Sequence, residues 1–588
     1  MVRLTGWKGG FCPLAQKKKA GYARRWKYAV FPCGLLCFMY CLWGAMEVYV
    51  GNAGNFRFTY LEALLPLLAI TLAATAALAA LAALLRKKAF NLAISLVLAL
   101  AVCSYVQNAL LNLNLGMLST EDIDWSRYTA HGRKNLALWG GLLALIVTVL
   151  MLLKKRTRRV VRLVSAALLA VHVITFGIVS AQHLTSDANR AGQAEYVLSG
   201  EKQFQVSAEG NVIVLLLDYF SNDYIDAGLR EYPDMLAPLK DFTYYDNADP
   251  AYIGTFPSVV HMLTGNPFDT TIPIEKWFKN SWEGENAKMF YAALAEKGYK
   301  FNFFDSTNDC FGLQYAEAYI NNLVKLERGD FSVRYERLIP SLLQLSAFRY
   351  VPHAAKPALM PSSLQFYMAV PLNSKEVPVC YNRNAFYNVL HAYGLEKVQG
   401  DGKYFIIEFL RGTHPPYDVN ENAEYDTKAT LAQCAAGYMK IVGEYLQKLK
   451  DAGLYDSSTI ILTSDHGDKE NSMQVMYFIK EAGVTRKAMA VSSAPISHKD
   501  FLGTVLKNIG VESGLTSIYD FKDGDQRERT VMRNYIDTSY PYVRKYRSTM
   551  LGTHTAMYAY TYTGDRKDLR RQFRRGPTEI LPLTESFN

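Results

Sequence analysis

Four short polar clusters in the chain carry residue types suited to metal-assisted nucleophilic chemistry. Asp218 ends the apolar run 211–217 (NVIVLLL). Thr255 stands in Gly254-Thr255-Phe256-Pro257-Ser258, ahead of an apolar helical stretch that closes on Leu263-Thr264-Gly265. His414 lies in Gly412-Thr413-His414-Pro415-Pro416-Tyr417, and Asp465-His466-Gly467-Asp468 follows 458–464 (STIILTS). Asp and His side chains at the tips of neighbouring parallel strands can converge on one divalent cation. Such a set of N and O ligands suits zinc or manganese, and the hydroxyl of Thr255 can complete the shell. A threonine hydroxyl is a poor nucleophile at neutral pH. Metal coordination lowers its pKa, and a helix N-terminus stabilises an oxyanion beside it. Backbone amides in that first turn can also hold a phosphoryl oxygen.

Each cluster alone has a structural reading. A strand-ending Asp caps a helix or turn, a Thr before a helix is an N-cap, and His-Pro-Pro is loop. Their joint occurrence at strand exits and a helix entrance is what points to a site.

The elements that must position these residues are legible around them. Buried strands are expected at 211–217, 300–304, 404–409, 458–463 and 475–479. Helices are expected at 289–297, 431–452 and 499–509, with Gly298 and Gly453 as stops. Strands alternating with helices imply an α/β fold, a mostly parallel sheet sandwiched between helices. Ligands of such sheets bind beyond the carboxyl ends of the strands.

The first third is different. Residues 1–186 carry 21 Lys+Arg and 5 Asp+Glu, a balance of +16. The rest carries 43 and 49, a balance of −6, so the net +10 is no polyanion-binding signature of the whole chain. Five apolar stretches, 28–50, 61–85, 89–111, 136–153 and 160–181, have the length of membrane-crossing helices. The first lacks the cleavage site of a signal peptide, and four more follow it. Basic clusters precede the first stretch and separate the second from the third and the fourth from the fifth. Five crossings put all three clusters on one side, and the positive-inside rule makes that side cytoplasmic. The expected organisation is a five-span transmembrane domain over 1–185, a linker over 186–210, and an extracytoplasmic domain over 211–588 with a C-terminal subdomain. Glu47 and Glu62 belong near the outer ends of their spans, and His172 reads as a packing residue. Cys33, Cys37 and Cys41 recur along one helix face as small packing residues. No CxxC pair occurs, which argues against a zinc ribbon.

In order, NVIVLLLD, GTFPSVVHMLTG, GTHPPYD, GYMKIVGEYLQKLKDAGLYDSSTIILTSDHGD and ISHKDFLGTVLKNIGV resemble the alkaline phosphatase/sulfatase superfamily. Within it the chain is most similar to the membrane-anchored lipoteichoic acid synthase group, with phosphoethanolamine transferases as close relatives. The resemblance covers roughly residues 211–510. It implies Asp218, Thr255, Asp465 and His466 as metal ligands, Thr255 as covalent nucleophile, and His414 against the donor phosphate or the leaving group. It also implies one divalent metal ion, Mn or Zn. The implied partners are an outer-leaflet phospholipid donor and an envelope glycan, teichoic acid or glycolipid acceptor, at the cell membrane and with no nucleic acid. The expected activity is transfer of a phosphoglycerol-type group. Phosphoethanolamine transfer, phosphodiester hydrolysis and a non-catalytic lipid-sensing role are the alternatives. The group usually carries Glu where this chain has Asp218. Asp there, with Thr-Phe-Pro at the nucleophile, is also similar to nucleotide pyrophosphatase/phosphodiesterases. Those use extra histidines that 468–479 does not contain. Val259 occupies the place of the arginine in the sulfatase modification pattern, and threonine cannot become formylglycine, so sulfate-ester hydrolysis is not expected. The segment 310–400 and the tail after 510 match none of these patterns, and substrate selectivity is expected there. In the tail, Arg566, Lys567, Arg570, Arg571, Arg574 and Arg575 recur at helical spacing. They read either as a solvated basic helix or as a contact for anionic lipid or a polyanionic glycan.

Overall fold

The computed structural model describes residues 13–52, 56–113, 125–185, 195–305, 311–373, 378–380, 384–468, 473–535 and 556–582. The chain divides into two compact units. One comprises Met1–Ala194 and Glu327–Ser374, the other Glu195–Leu326 and Lys375–Asn588.

Among the described residues the first unit holds five helices long and apolar enough to cross a membrane: Gly21–Gly51, Tyr60–Leu84, Lys87–Leu111, Thr129–Leu152 and Lys154–Leu184. The first and third each contain one π-helical turn, Met39–Trp43 and Gln107–Leu111. A further helix of this unit, Tyr335–Tyr350, arrives from far along the chain. It lies so close to the first span that a Cβ on Gly44 would overlap Ser346. Its Arg349 pairs with Glu47 at 3.0 Å, and Arg349 Nε donates to Asn108 Oδ1 at 3.1 Å. Just beyond, the backbone N–H of His353 donates to Asn135 Oδ1 at 2.8 Å. Thus Glu47 is ion-paired. Glu62 closes a capping box with Thr59 at the start of the second span, and the His172 ring lies 2.9 Å from the Leu168 carbonyl. Cys33 and Cys37 are buried, Cys41 is half-buried, and all three are free thiols.

The second unit is built on a seven-stranded sheet. Its strands are β1 (Asn211–Leu217), β2 (Thr243–Tyr245), β4 (Tyr299–Phe304), β5 (Lys403–Leu410), β6 (Thr459–Ser464), β7 (Tyr477–Lys480) and β8 (Ala490–Ser492); β3 (Tyr252–Ile253) belongs to another sheet. The order is β8-β2-β7-β6-β1-β5-β4. β1 pairs in parallel with β5 and β6, and β5 with β4, whereas β7 runs antiparallel to β6 and β2. Every residue of β1 is buried. Its run is continuous because both faces are covered: Val212, Val214 and Leu216 enter one apolar cluster, Ile213, Leu215 and Leu217 the other. α1 (Asn222–Glu231) follows β1, α2 (Thr255–Thr264) follows β3, and α4 (Leu431–Asp451) precedes β6; α3 is the Tyr335–Tyr350 helix of the first unit. Two short strands, Glu195–Leu198 and Gln205–Ser207, join this unit from the segment read as a linker. The tail adds β9 (Glu528–Tyr535), β10 (Ala556–Thr563), α5 (Arg566–Arg575) and β11 (Glu579–Pro582). A second sheet, β11-β10-β9-β3, results. Tyr558, Tyr560 and Tyr562 are strand residues of β10, while Tyr540, Tyr542, Tyr546 and Cys310 lie outside the described residues.

Glu408 is a carboxyl inside this core, fully buried on β5, with Gln203 donating to it at 2.9 Å. Burial raises its pKa well above the ordinary carboxylate range. In the unfolded chain it ionises near its ordinary value, so its contribution to stability is full below that pH and is lost as pH rises toward the folded value. Glu408→Gln keeps the shape without that dependence. Thermal unfolding should show a higher midpoint for the variant than for the parent at pH 8, with the gap closing toward pH 4. A gap independent of pH would refute the assignment of a protonated carboxyl.

Candidate metal centre

The site forms where β1 and β6, adjacent and parallel, end together. Ser464 pairs with Leu217 in the register, so Asp218 and Asp465 leave the sheet side by side. Asp218, Asp465 and His466 each offer one ligand atom, and those atoms lie within 4.8 Å of one another. All three residues are buried, Asp218 at 6% exposure and the other two at 0%. His466 Nε2 is 3.9 Å from Asp218 Oδ1 and 3.6 Å from Asp465 Oδ2.

The carboxylate of Asp465 is used asymmetrically. Oδ1 accepts the backbone N–H of His466 at 2.7 Å and that of Tyr219 at 3.0 Å. Oδ2 accepts no hydrogen bond from the described residues. The Nδ1 of His466 lies 2.8 Å from the Gly467 carbonyl, which places the proton on Nδ1 and leaves the Nε2 lone pair toward the two carboxylates. Two carboxylates sharing a buried site repel each other unless a cation joins them. This donor set, two oxygens and one imidazole nitrogen, therefore fits a divalent cation such as zinc or manganese.

The backbone around the trio is held tightly. Tyr219 has φ +63, an uncommon conformation for a bulky residue, and in it the N–H reaches Asp465. Gly412 has φ +57, and a Cβ there would collide with the backbone of Asp218. That close approach brings the His414 loop to the site: Thr413 N–H donates to the Asp218 carbonyl at 3.1 Å and Thr413 Oγ1 to that of Tyr219 at 3.0 Å. The Tyr219 ring stands between the two histidines, edge-on to His414 at 5.4 Å and to His466 at 5.1 Å. His414 is thus half-buried and one aromatic ring removed from the ligand trio.

Thr255 is the first residue of α2, half-buried, with Gly254 preceding it as the cap. Ser258 Oγ donates to the Asp465 carbonyl at 2.5 Å, which seats the first turn of α2 on the end of β6. Thr255 and Ser258 are three residues apart and share a face of the helix, so Thr255 lies on the side that meets Asp465. The strand leading into it, β3, is held in parallel by the tail strand β9, through Met532 opposite Tyr252 and Arg533 opposite Ile253. Buried Arg529 ties the same strand to Asp249 at 3.0 Å and to the Asn247 carbonyl at 2.7 Å.

Three neighbours were not singled out from sequence. Tyr219 owes its place to a backbone conformation that its type does not announce. Tyr224 donates to Asp468 Oδ2 at 3.1 Å, linking α1 to the loop after His466. His498 is buried behind β6, with Nε2 3.2 Å from Thr463 Oγ1. Burial, helped by His261 and His466, pushes its pKa down to about 3, so it is a neutral imidazole. Its position within ISHKDF at the start of a helix was the available signal.

The sulfatase family model matches residues 210–511, just over half of the chain. Among curated proteins none matches significantly. Solved structures similar to the chain include the lipoteichoic acid synthase LtaP from Listeria monocytogenes. It is 11% identical, with 64% of this chain and 91% of that one covered and a TM-score of 0.34. A phosphonate monoester hydrolase from Silicibacter pomeroyi is 14% identical, covering 61% and 87%, TM-score 0.36. A protein of the alkaline phosphatase superfamily from Vibrio parahaemolyticus is 12% identical, covering 66% and 84%, TM-score 0.36. The matched span opens one residue before β1 and closes just past the helix that follows His498, so it takes in every strand tip and helix entrance that builds the metal centre: the chain belongs to the sulfatase family.

Proposed function

We propose that the protein is a membrane-bound, metal-dependent phosphotransferase that moves a phosphoglycerol-type group from an outer-leaflet phospholipid to an envelope polymer or glycolipid. The observation that carries this reading is the pairing of a buried Asp218/Asp465/His466 trio with a threonine at a helix entrance, in one chain with five membrane-length helices. The donor is a lipid, and tethering holds the site near it at high effective concentration.

Asp218, Asp465, His466 and Thr255 would hold one Mn or Zn ion, which lowers the pKa of a bound hydroxyl and offsets phosphate charge. The Thr255 oxygen attacks the phosphorus of the lipid diester. The bond to the lipid oxygen breaks, diacylglycerol leaves with a proton, and a phosphodiester-linked threonine remains. His414 contacts the donor phosphate or the leaving group. An acceptor hydroxyl then displaces Thr255, which regains its proton. Purified protein given phosphatidylglycerol vesicles and a glycolipid acceptor should release diacylglycerol and extend the acceptor in equal amounts. Diacylglycerol with free glycerol phosphate instead would make it a hydrolase, and no diacylglycerol at all would end the lipid-donor reading.

The same proposal puts the second unit outside the membrane and the N-terminus inside, because the three basic clusters share one side. A cysteine introduced beside Gly453, at the exposed end of α4, should react with a membrane-impermeant reagent in intact cells. Labelling only after lysis would reverse the orientation.

A further inference from the structure

Six basic side chains crowd the ten residues of α5, and the fold divides them. Leu569 is fully buried and Phe573 partly so, and these two fasten the helix to β9 and β10. Arg566 lies 3.6 Å from Asp226, and Arg570 ion-pairs with Asp223, both on α1. Lys567, Arg571, Arg574 and Arg575 are exposed. They follow one another at i, i+4, i+7 and i+8, a single stripe roughly 12 Å long. Asp568, 2.9 Å from Arg571, is the one carboxylate paired with this stripe among the described residues.

The place where α5 docks gives the stripe its meaning. α1 begins four residues after Asp218, and Tyr224, next to Asp223, donates to Asp468, two residues past His466. Arg566 and Arg570 therefore hold the basic helix on the element that leaves the metal centre. We infer that Lys567, Arg571, Arg574 and Arg575 form a docking track for a phosphodiester polymer beside the catalytic centre, the acceptor or product chain of the transfer proposed above, on which this inference rests. The planar guanidinium matches phosphate oxygens two at a time, which favours the three arginines. A membrane surface is the less suitable occupant. A helix that lies on a bilayer turns apolar residues toward it, whereas Leu569 and Phe573 are turned into the fold and the outward face carries none.

The test uses the full chain in nanodiscs of phosphatidylcholine, with labelled inorganic polyphosphate as the probe. The variant Lys567→Gln/Arg571→Gln/Arg574→Gln/Arg575→Gln should bind polyphosphate at least about ten-fold more weakly, and the slope of log affinity against log salt should flatten by about three. Replacing the three arginines by lysine, which keeps the charge but not the two-point geometry, should preserve the salt slope at an affinity between those of the parent and the glutamine variant, and so control for folding. Both variants should hydrolyse or transfer from a small soluble diester, bis-p-nitrophenyl phosphate, as the parent does. Unchanged polyphosphate binding in the neutralised variant overturns the inference. So does a loss confined to vesicles containing phosphatidylglycerol, which would make the stripe a membrane contact. Inactivity of the parent on the small diester would count against the proposed reaction and leave the binding result to be read separately.

Discussion

Thr255→Ala is expected to lower turnover by on the order of a thousand-fold or more, the scale seen when a covalent nucleophile is removed. A hydrolase can let activated water attack directly and needs no protein nucleophile. Thr255 opens α2, one turn from the Ser258 bond to Asp465, and the proposed transfer uses it as the nucleophile of two successive displacements. In the proposed reaction a covalent stage would let the lipid product depart before a bulky acceptor arrives. Thr255→Ser keeps the hydroxyl and should retain part of the activity. Donor lipid without acceptor, followed by an acid quench, should leave a mass increment on the peptide that contains Thr255. Parent-level activity in Thr255→Ala would exclude the covalent route.

Asp465→Asn should strip the metal. The purified parent should hold about one equivalent of Mn or Zn by elemental analysis, and the variant should bind it at least roughly 100-fold more weakly, since even a partner behind the ligands costs 10–100-fold. The reason is specific to the two oxygens. Oδ1 is committed to the N–H groups of His466 and Tyr219, so an amide oxygen can stay there while the amide nitrogen takes the place of Oδ2. A nitrogen bearing two hydrogens is no ligand. The fold should survive, because those backbone bonds survive, and circular dichroism would verify it. Full metal occupancy in Asp465→Asn would remove this residue from the site.

The central strands were legible because burial on both faces leaves an uninterrupted apolar run. β1 is found at the bounds read for it, and β5 and β6 within one residue. Asp218, Asp465 and His466 were legible for the complementary reason: polar residues that follow such a run must sit at the strand's end. The edge strands β2 and β8 have three residues each, too few to show a period. The partner of β3 lies nearly 300 residues away in β9, so neither strand announces the pairing locally. The helical spacing of the basic tail residues matches the helix found at Arg566–Arg575. Its division into docked and exposed arginines depends on Asp223 and Asp226, which no pattern within the tail reveals.

The Tyr335–Tyr350 helix has a consequence for biogenesis. The fifth span is complete at Leu184, and this helix is made about 150 residues later. At ordinary synthesis rates the interval is roughly 8–30 s. Throughout it Glu47 and Asn108 are without Arg349, and Asn135 is without the His353 amide. The five long helices are therefore made before their unit is complete, and its last piece follows only after residues 195–326 of the second unit. A nascent chain stopped between 185 and 335 lacks the partners of Glu47, Asn108 and Asn135, and is expected to be more open to proteolysis there. A fragment that begins at 195 leaves the same helix with its packing face bare, which favours aggregation. Arrest at successive lengths, followed by limited proteolysis, would show protection of the bundle gained in one step once residues 335–353 have emerged.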